Sequence, residues 1–320
     1  MPTRVLALLF LVAPGDAQEP PAQQPTPPPI RVRVDRVNVG VTVTDSRGQF
    51  TGGLRREDFH VFDNGAEQPI TSFLSVEERA QLVLLIECGP AVYFLAKSHF
   101  QAADALLASL SADDRVAIAC FSKSPELVLD FTSDKEAARL ALHTINFKLG
   151  YAELNLSASL ASTLEWLAPL PGKKSIALLS TGLDTSPQEN WQRVRQKLET
   201  SDTRILAVSL FGDYRKPAKR KKLSPDERAA RAYVKQGIGE ADKSLRELSA
   251  ATGGRVYFPK NTKEFERAYA EIAQLVRNEY SLAFTPPAFD GQLHAISVKV
   301  KQSHRVDHRQ AYVAPLPDPK

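Results

Sequence analysis

The sequence predicts an α/β protein: a doubly wound, mostly parallel sheet, flanked by an all-β accessory module built from N- and C-terminal strands. Three observations carry this. Between Leu82 and Pro259, aliphatic runs alternate with stretches of helical apolar spacing, as successive β–α units do. Leu82-Val83-Leu84-Leu85-Ile86, Val116 to Phe121, Ser175 to Ser180 and Arg204 to Leu210 are short, largely apolar runs, the composition of strands covered on both faces. On either side, Arg31 to Ser75 and Tyr280 to Val313 alternate apolar with polar residues, the period of strands with one wet face.

Taken in order, Arg4 precedes the apolar run Val5 to Ala13, and small residues lead to Ala17, which reads as a secretory signal peptide over residues 1–17. That run is too short to span a bilayer, and no later segment approaches spanning length. The chain is therefore expected to be exported, to the periplasm or the cell exterior. Residues 18–29, rich in Pro and Gln, make an extended linker.

Residues 30–78 form an N-terminal β unit. Val32, Val34, Val37, Val39, Val41 and Val43 alternate along one strand, closed by the Asp45-Ser46-Arg47-Gly48 turn. Asp58 to Phe62 and Gln68 to Phe73 are two further strands around the Asp63-Asn64-Gly65 turn.

Residues 79–260 form the α/β domain. Helices are predicted over Tyr93 to Leu110, from the cap Asp134 to about Asn146, over Leu154 to Leu167, from Pro187 to Leu198 and over Ala229 to Ala251. Leu127 to Phe131 is a hairpin-like neighbour of the second strand, and Arg255 to Phe258 a last strand. Residues 261–315 add an amphipathic helix with Phe265, Tyr269, Ile272 and Val276 on one face, then strands expected to pack with the N-terminal unit. Residues 316–320 are a tail.

A hydrophobic share of 43% and a charged share of 24% describe an ordinary folded protein. The net charge of +4 is too weak to imply a nucleic-acid partner. Cys88 and Cys120, the only cysteines, exclude a disulfide framework and a Cys-rich zinc site. They close two neighbouring strands, and either pair, if their Cβ vectors face each other, or remain two separate buried thiols. The six histidines show no metal-binding spacing and are expected at the surface. Nucleophile-elbow and phosphate-loop patterns are absent. Trp166 and Trp191 fall within helices, at the edge of the core, with Trp191, flanked by Asn190 and Gln192, alternatively an exposed interface anchor.

A strand ending in Glu87, then Leu110-Ser111-Ala112-Asp113-Asp114-Arg115-Val116, then Leu178-Leu179-Ser180-Thr181-Gly182, resembles a von Willebrand factor type A (VWA) domain. Upstream, Val41 to Gly48 and Leu54 to Gly65, and downstream, Asn278 to Leu282, are similar to the bacterial exported VWFA-related proteins. The resemblance spans roughly residues 30 to 315 and implies a VWA/Rossmann-like fold and protein binding or scaffolding.

It also implies a divalent-cation site built from an Asp-x-Ser-x-Ser loop, a Thr and a later Asp. This chain departs from that pattern. Its first loop reads Glu87-Cys88-Gly89-Pro90-Ala91, so Glu replaces Asp, while Gly89 and Ala91 replace the two serines. Ala152 stands at or next to the Thr position, beside Glu153, and Thr181 replaces the last Asp. Too few oxygens remain for a hard cation, so no cofactor or metal is expected, and Glu87 reads as simply solvated at its strand end. A rescued site from Glu87, Glu153, Thr181 and Asp184 is the alternative.

Arg215, Lys216, Lys219, Arg220, Lys221 and Lys222 crowd one loop after the fifth strand. It reads either as a solvated insert or as a docking surface for an acidic partner or anionic lipid. Without interleaved aromatics it does not suit single-stranded nucleic acid. The expectation is thus an exported, non-enzymatic protein-binding module whose rim comprises Glu87, Gly89, Ala91, Ala152, Glu153, Thr181 and Asp184. Other classes are a hydrolase using Glu87 and Asp184 as a carboxylate pair, and a structural domain of an envelope complex.

Overall fold

The computed structural model describes residues 36–47, 49–76, 78–89, 96–145, 153–185, 188–211, 224–301 and 305–316. The predicted signal peptide and linker lie outside the described residues, as do Ala91, Ala152 and the basic run from Arg215 to Lys222. The strands are, in chain order, β1 (Val37–Thr44), β2 (Phe59–Asp63), β3 (Ala66–Gln68), β4 (Ser72–Leu74), β5 (Ala80–Glu87), β6 (Arg115–Phe121) and β7 (Pro125–Thr132). There follow β8 (Lys173–Ser180), β9 (Thr203–Ser209), β10 (Val256–Tyr257), β11 (Tyr280–Phe284), β12 (Leu293–Val300), β13 (Arg305–His308) and β14 (Ala311–Val313). The helices are α1 (Ala96–Ser109), α2 (Lys135–His143), α3 (Leu156–Leu167), α4 (Gln188–Thr200), α5 (Pro225–Ala251) and α6 (Thr262–Arg277).

The central sheet has the order β10-β9-β8-β5-β6-β7, parallel throughout except for β7 at its edge. Every residue of β5, β8 and β9 is buried, which explains why their sequences do not alternate. Successive β5 side chains serve opposite faces. Leu82, Leu84 and Ile86 pack with α1, α2 and α6. Val83 and Leu85 pack with α3, α4 and α5. Burying one such aliphatic side chain contributes about 1.5–3 kcal/mol, so the two faces together anchor the three layers. The doubly wound fold class predicted from sequence is the one formed.

Helix ends follow their caps. Asp134 accepts from the backbone of Glu136 and Ala137 and starts α2, and Asn261 accepts from Glu264 and starts α6. The apolar stripe of α6 (Phe265, Tyr269, Ile272 and Val276) is buried on the central sheet. This helix therefore belongs to the central layer, whereas the strands after it do not.

Those strands join the N-terminal ones in two four-stranded antiparallel sheets, ordered β13-β1-β11-β4 and β14-β12-β2-β3. Val37, Val39, Val41 and Val43 face Phe59, Val61, Ile296 and Val298 across one core, so the accessory module is a β-sandwich drawn from both ends of the sequence. Asn64 and Gly65, with φ of 46° and 85°, form the two-residue turn that pairs Asp63 with Ala66.

The segment Gln68 to Phe73, predicted as one strand, is two. β3 pairs with β2, while β4 pairs with β11 in the other sheet. Pro69 has no N–H for a ladder, and the chain crosses between sheets there with Ile70 buried.

Candidate functional site

The rim at the carboxyl ends of the parallel strands is where such folds bind ligands. In register, Leu179 of β8 lies beside Ile86 of β5, which brings Ser180 and Thr181 against Glu87. Glu87 ends a wholly apolar run and has no exposed surface (0%). Its Oε2 accepts from the Ser180 hydroxyl at 2.8 Å, the Thr181 N–H at 2.7 Å and the Thr181 hydroxyl at 2.9 Å; Oε1 lies 3.0 Å from the same Thr181 hydroxyl. Each hydroxyl is itself oriented from behind: Gly182 N–H donates to Ser180 Oγ at 2.9 Å, and Leu183 N–H to Thr181 Oγ1 at 3.3 Å.

The expectation that Glu87 is solvated at a strand end is corrected by this arrangement. Burial raises its pKa above the carboxylate value of 4.5, against the downward pull of the bonds from Ser180 and Thr181. The extra methylene of Glu over Asp lets the carboxylate extend past the strand end to β8.

The rest of the rim is closed by similar local bonds. A Cβ on Gly89 would stand 3.0 Å from Leu154 Cδ2 and 3.6 Å from Glu87 Oε1. A hydroxyl-bearing side chain at that position thus meets an apolar methyl group. Leu154 is held in turn by Thr185, whose hydroxyl accepts from Leu154 N–H at 2.9 Å and donates to Leu154 C=O at 3.0 Å. Asp184 accepts from Ser157 N–H at 2.8 Å, near the start of α3, where a carboxylate satisfies an orphan backbone donor. Glu153 is exposed and pairs with Lys123 at 3.0 Å.

The structure therefore brings Glu87 and Thr181 into contact and gives Asp184 a helix-capping role. It places Glu153 apart, on the surface. Ser180, Leu154 and Thr185 are absent from the sequence-predicted set. Only Ser180 had a legible signal, as a hydroxyl beside Thr181 at the end of a strand predicted next to Glu87. The carboxylate pair of a hydrolase gains no footing, because Glu87 presents no surface to a substrate.

Among the described residues, the oxygens at these positions do not fit a hard cation as they are placed. Such an ion takes six or more oxygens, with open lone pairs directed at it. Here the Glu87 oxygens and the Thr181 hydroxyl are spent on each other, Gly89 supplies none, and Ala91 and Ala152 have no side-chain oxygen. Among the described residues, no three His, Cys, Asp or Glu side chains gather as a metal site.

A second cluster of ionisable groups sits in the sandwich. His294, expected at the surface, is buried. Its Nδ1 lies 2.7 Å from Asp63 Oδ1, and its Nε2 lies 3.3 Å from each Asp290 oxygen. Tyr312 donates its hydroxyl to Asp63 Oδ2 at 2.6 Å. The bonds give both Asp63 oxygens and both His294 ring nitrogens a partner, which makes this a structural pin between β2, β12 and β14.

No family model and no curated protein matches the chain. Among solved structures it is similar to a von Willebrand factor type A protein from Catenulispora acidiphila, with a TM-score of 0.46, 11% identity, and 81% of this chain and 74% of that one covered. It is also similar to an aerotolerance-related membrane protein from Bacteroides fragilis, with a TM-score of 0.45, 14% identity and coverages of 62% and 98%. A third is the manganese-loaded TRAP protein of Plasmodium vivax, with a TM-score of 0.44, 12% identity and coverages of 81% and 100%.

Proposed function

We propose that this chain is an exported, non-enzymatic protein-binding module whose rim recognises its partner without a bridging cation. The observation that carries the reading is the saturation of Glu87 by Ser180 and Thr181, with Leu154 filling the space above Gly89. Groups that elsewhere would face an ion here hold two strands and a loop together. What the described rim offers a partner is the Lys123–Glu153 pair and Leu183, which is 37% exposed. A surface of that kind recognises by shape and charge.

Export is supported by the charged, apolar and small-residue order of residues 1–17. No helix among the described residues is long and apolar enough to cross a membrane. The basic run Arg215 to Lys222 is assigned to an acidic partner or anionic surface on its charge alone.

Calorimetric titration of the full chain with Mg²⁺ and Mn²⁺ tests the reading. No saturable heat is expected up to millimolar ion, and partner capture from an envelope extract is expected to be the same with and without chelator. Micromolar ion binding that disappears in Glu87→Ala overturns the cation-free rim.

A further inference from the structure

We infer that α5 is a jointed helix: its first turns, from Pro225 to Gln236, form an arm that stands beyond the rim and hinges at Gly237-Ile238-Gly239. The helix has 27 residues, about 40 Å at 1.5 Å per residue, whereas β9, the strand that it packs on, has 7. Two contacts set its level on the sheet. Just past its end, Thr252 Oγ1 accepts from Ile205 N–H at 3.0 Å, near the start of β9. Further up, the Ala241 carbonyl stands 2.7 Å from where a Cβ of Gly182 would be, two residues beyond the pairing of Ser180 with Ser209. Ala241 is therefore level with the rim. Residues 225–240, about 24 Å of helix, overshoot the carboxyl ends of the strands.

Burial follows the same division. Ala241, Leu245, Leu248 and Ser249 are buried, while none of the described side chains ahead of Ala241 is. Ala232, Lys235, Gln236 and Glu240 are exposed, and Ile238 is half-buried. Gly237 and Gly239 lie between the two halves. A glycine inside a helix can serve a close approach, but a Cβ at either position would meet nothing within 4 Å. Packing does not require them, and each weakens the helix about fivefold relative to alanine. Among the described side chains, one bond spans them, from Gln236 Nε2 to Glu240 Oε1 at 3.0 Å, and an exposed pair of that spacing adds little.

An arm of this length has little stability of its own, because isolated helices shorter than about 12–15 residues are marginal in water. It is helical by continuation from the packed half, through the two residues least able to propagate a helix. Local opening at the glycines therefore releases it as one unit, while Ala241 to Ala251 stays on the sheet. Bending there swings the arm toward or away from the Gly182 loop without moving any strand.

The test is native-state hydrogen exchange on the full chain. The amides of residues 229–240 bond to carbonyls of the arm, so they are expected to exchange as one block, roughly tenfold or more faster than residues 245–251, with the step at the glycines. Gly237→Ala combined with Gly239→Ala is expected to slow that block about 15- to 25-fold and to leave residues 245–251 unchanged. Simple fraying would instead give protection that rises evenly from Pro225, and a wild-type rate at residues 229–234 in the double variant. Either result overturns the joint, as does equal protection of residues 229–240 and 245–251 in the wild type. The wild-type profile decides the matter on its own if the alanine variant does not fold.

Discussion

The carboxylate of Glu279 stands where Gly40 has no side chain: a Cβ there would lie 1.8 Å from Glu279 Oε1. Glu279 is buried just ahead of β11, and its Oε2 lies 3.7 Å from Arg204 Nη1. Arg204 in turn donates to the Thr42 hydroxyl and to Gly253 C=O, each at 3.0 Å, and so ties β9 of the central sheet to β1 of the sandwich. Gly40→Ala displaces Glu279 from its place near that arginine. The expected loss is about 2–4 kcal/mol, between the cost of overpacking and that of breaking a buried ion pair. Urea denaturation of the variant measures it, and a loss under about 0.5 kcal/mol means that Glu279 relocates freely.

Thr181→Val keeps the shape at the rim and removes the hydroxyl that serves both Glu87 oxygens. A buried acceptor that loses its donor costs about 1–3 kcal/mol, so a drop of that size is expected in denaturant midpoint analysis. An unchanged midpoint at an unchanged slope would show that the hydroxyl contributes nothing.

Gly182 has φ of +81°, and a Cβ there would be 2.7 Å from the Ala241 carbonyl on α5. Neither the backbone conformation nor the space admits alanine. Gly182→Ala is expected to cost about 3 kcal/mol or more, read as a lowered thermal midpoint and loss of rim-dependent binding. Wild-type thermal stability would refute the tight approach of α5 to this loop.

Burial works against a charged His294, but the bonds and charges of Asp63 and Asp290 outweigh it and raise the pKa above 6.5. A raised folded-state pKa means that the folded chain binds the proton more tightly than the unfolded chain. This group's stabilisation is therefore full below pH 6.5 and is lost as pH rises through the higher folded value. The melting temperature of wild type minus that of His294→Gln should shrink from pH 5.5 toward pH 9. Two parallel curves across that range would remove His294 from the pH dependence.

Much of the architecture was legible because each layer writes its own period. The unbroken aliphatic runs of β5 and β8, the two-residue alternation of Val37 to Val43 and the stripe of α6 each report how many faces are covered. The site was legible in position more than in state. Sequence placed Glu87 at the rim but in water, because only the register of β5 with β8 reveals that Ser180 and Thr181 arrive as its donors. The Asp63–His294–Tyr312 pin has the same cause: partners 231 and 249 positions away leave no local trace. Pro69 was a local signal against one continuous strand from Gln68 to Phe73, and the change of sheet explains it.

The pairing of Val37 with Phe284 and of Phe59 with Val300 also sets a timetable. Whether the polypeptide leaves a ribosome or threads a translocation pore amino end first, β1 and β2 are delivered long before their ladder partners. They must wait while the intervening β–α units are made, β1 with both of its ladders open and β2 with only β3 beside it. The sandwich is completed last, by the arrival of β11 to β14, and a chain halted before Tyr280 would hold a central layer beside four strands whose sheets lack their C-terminal members.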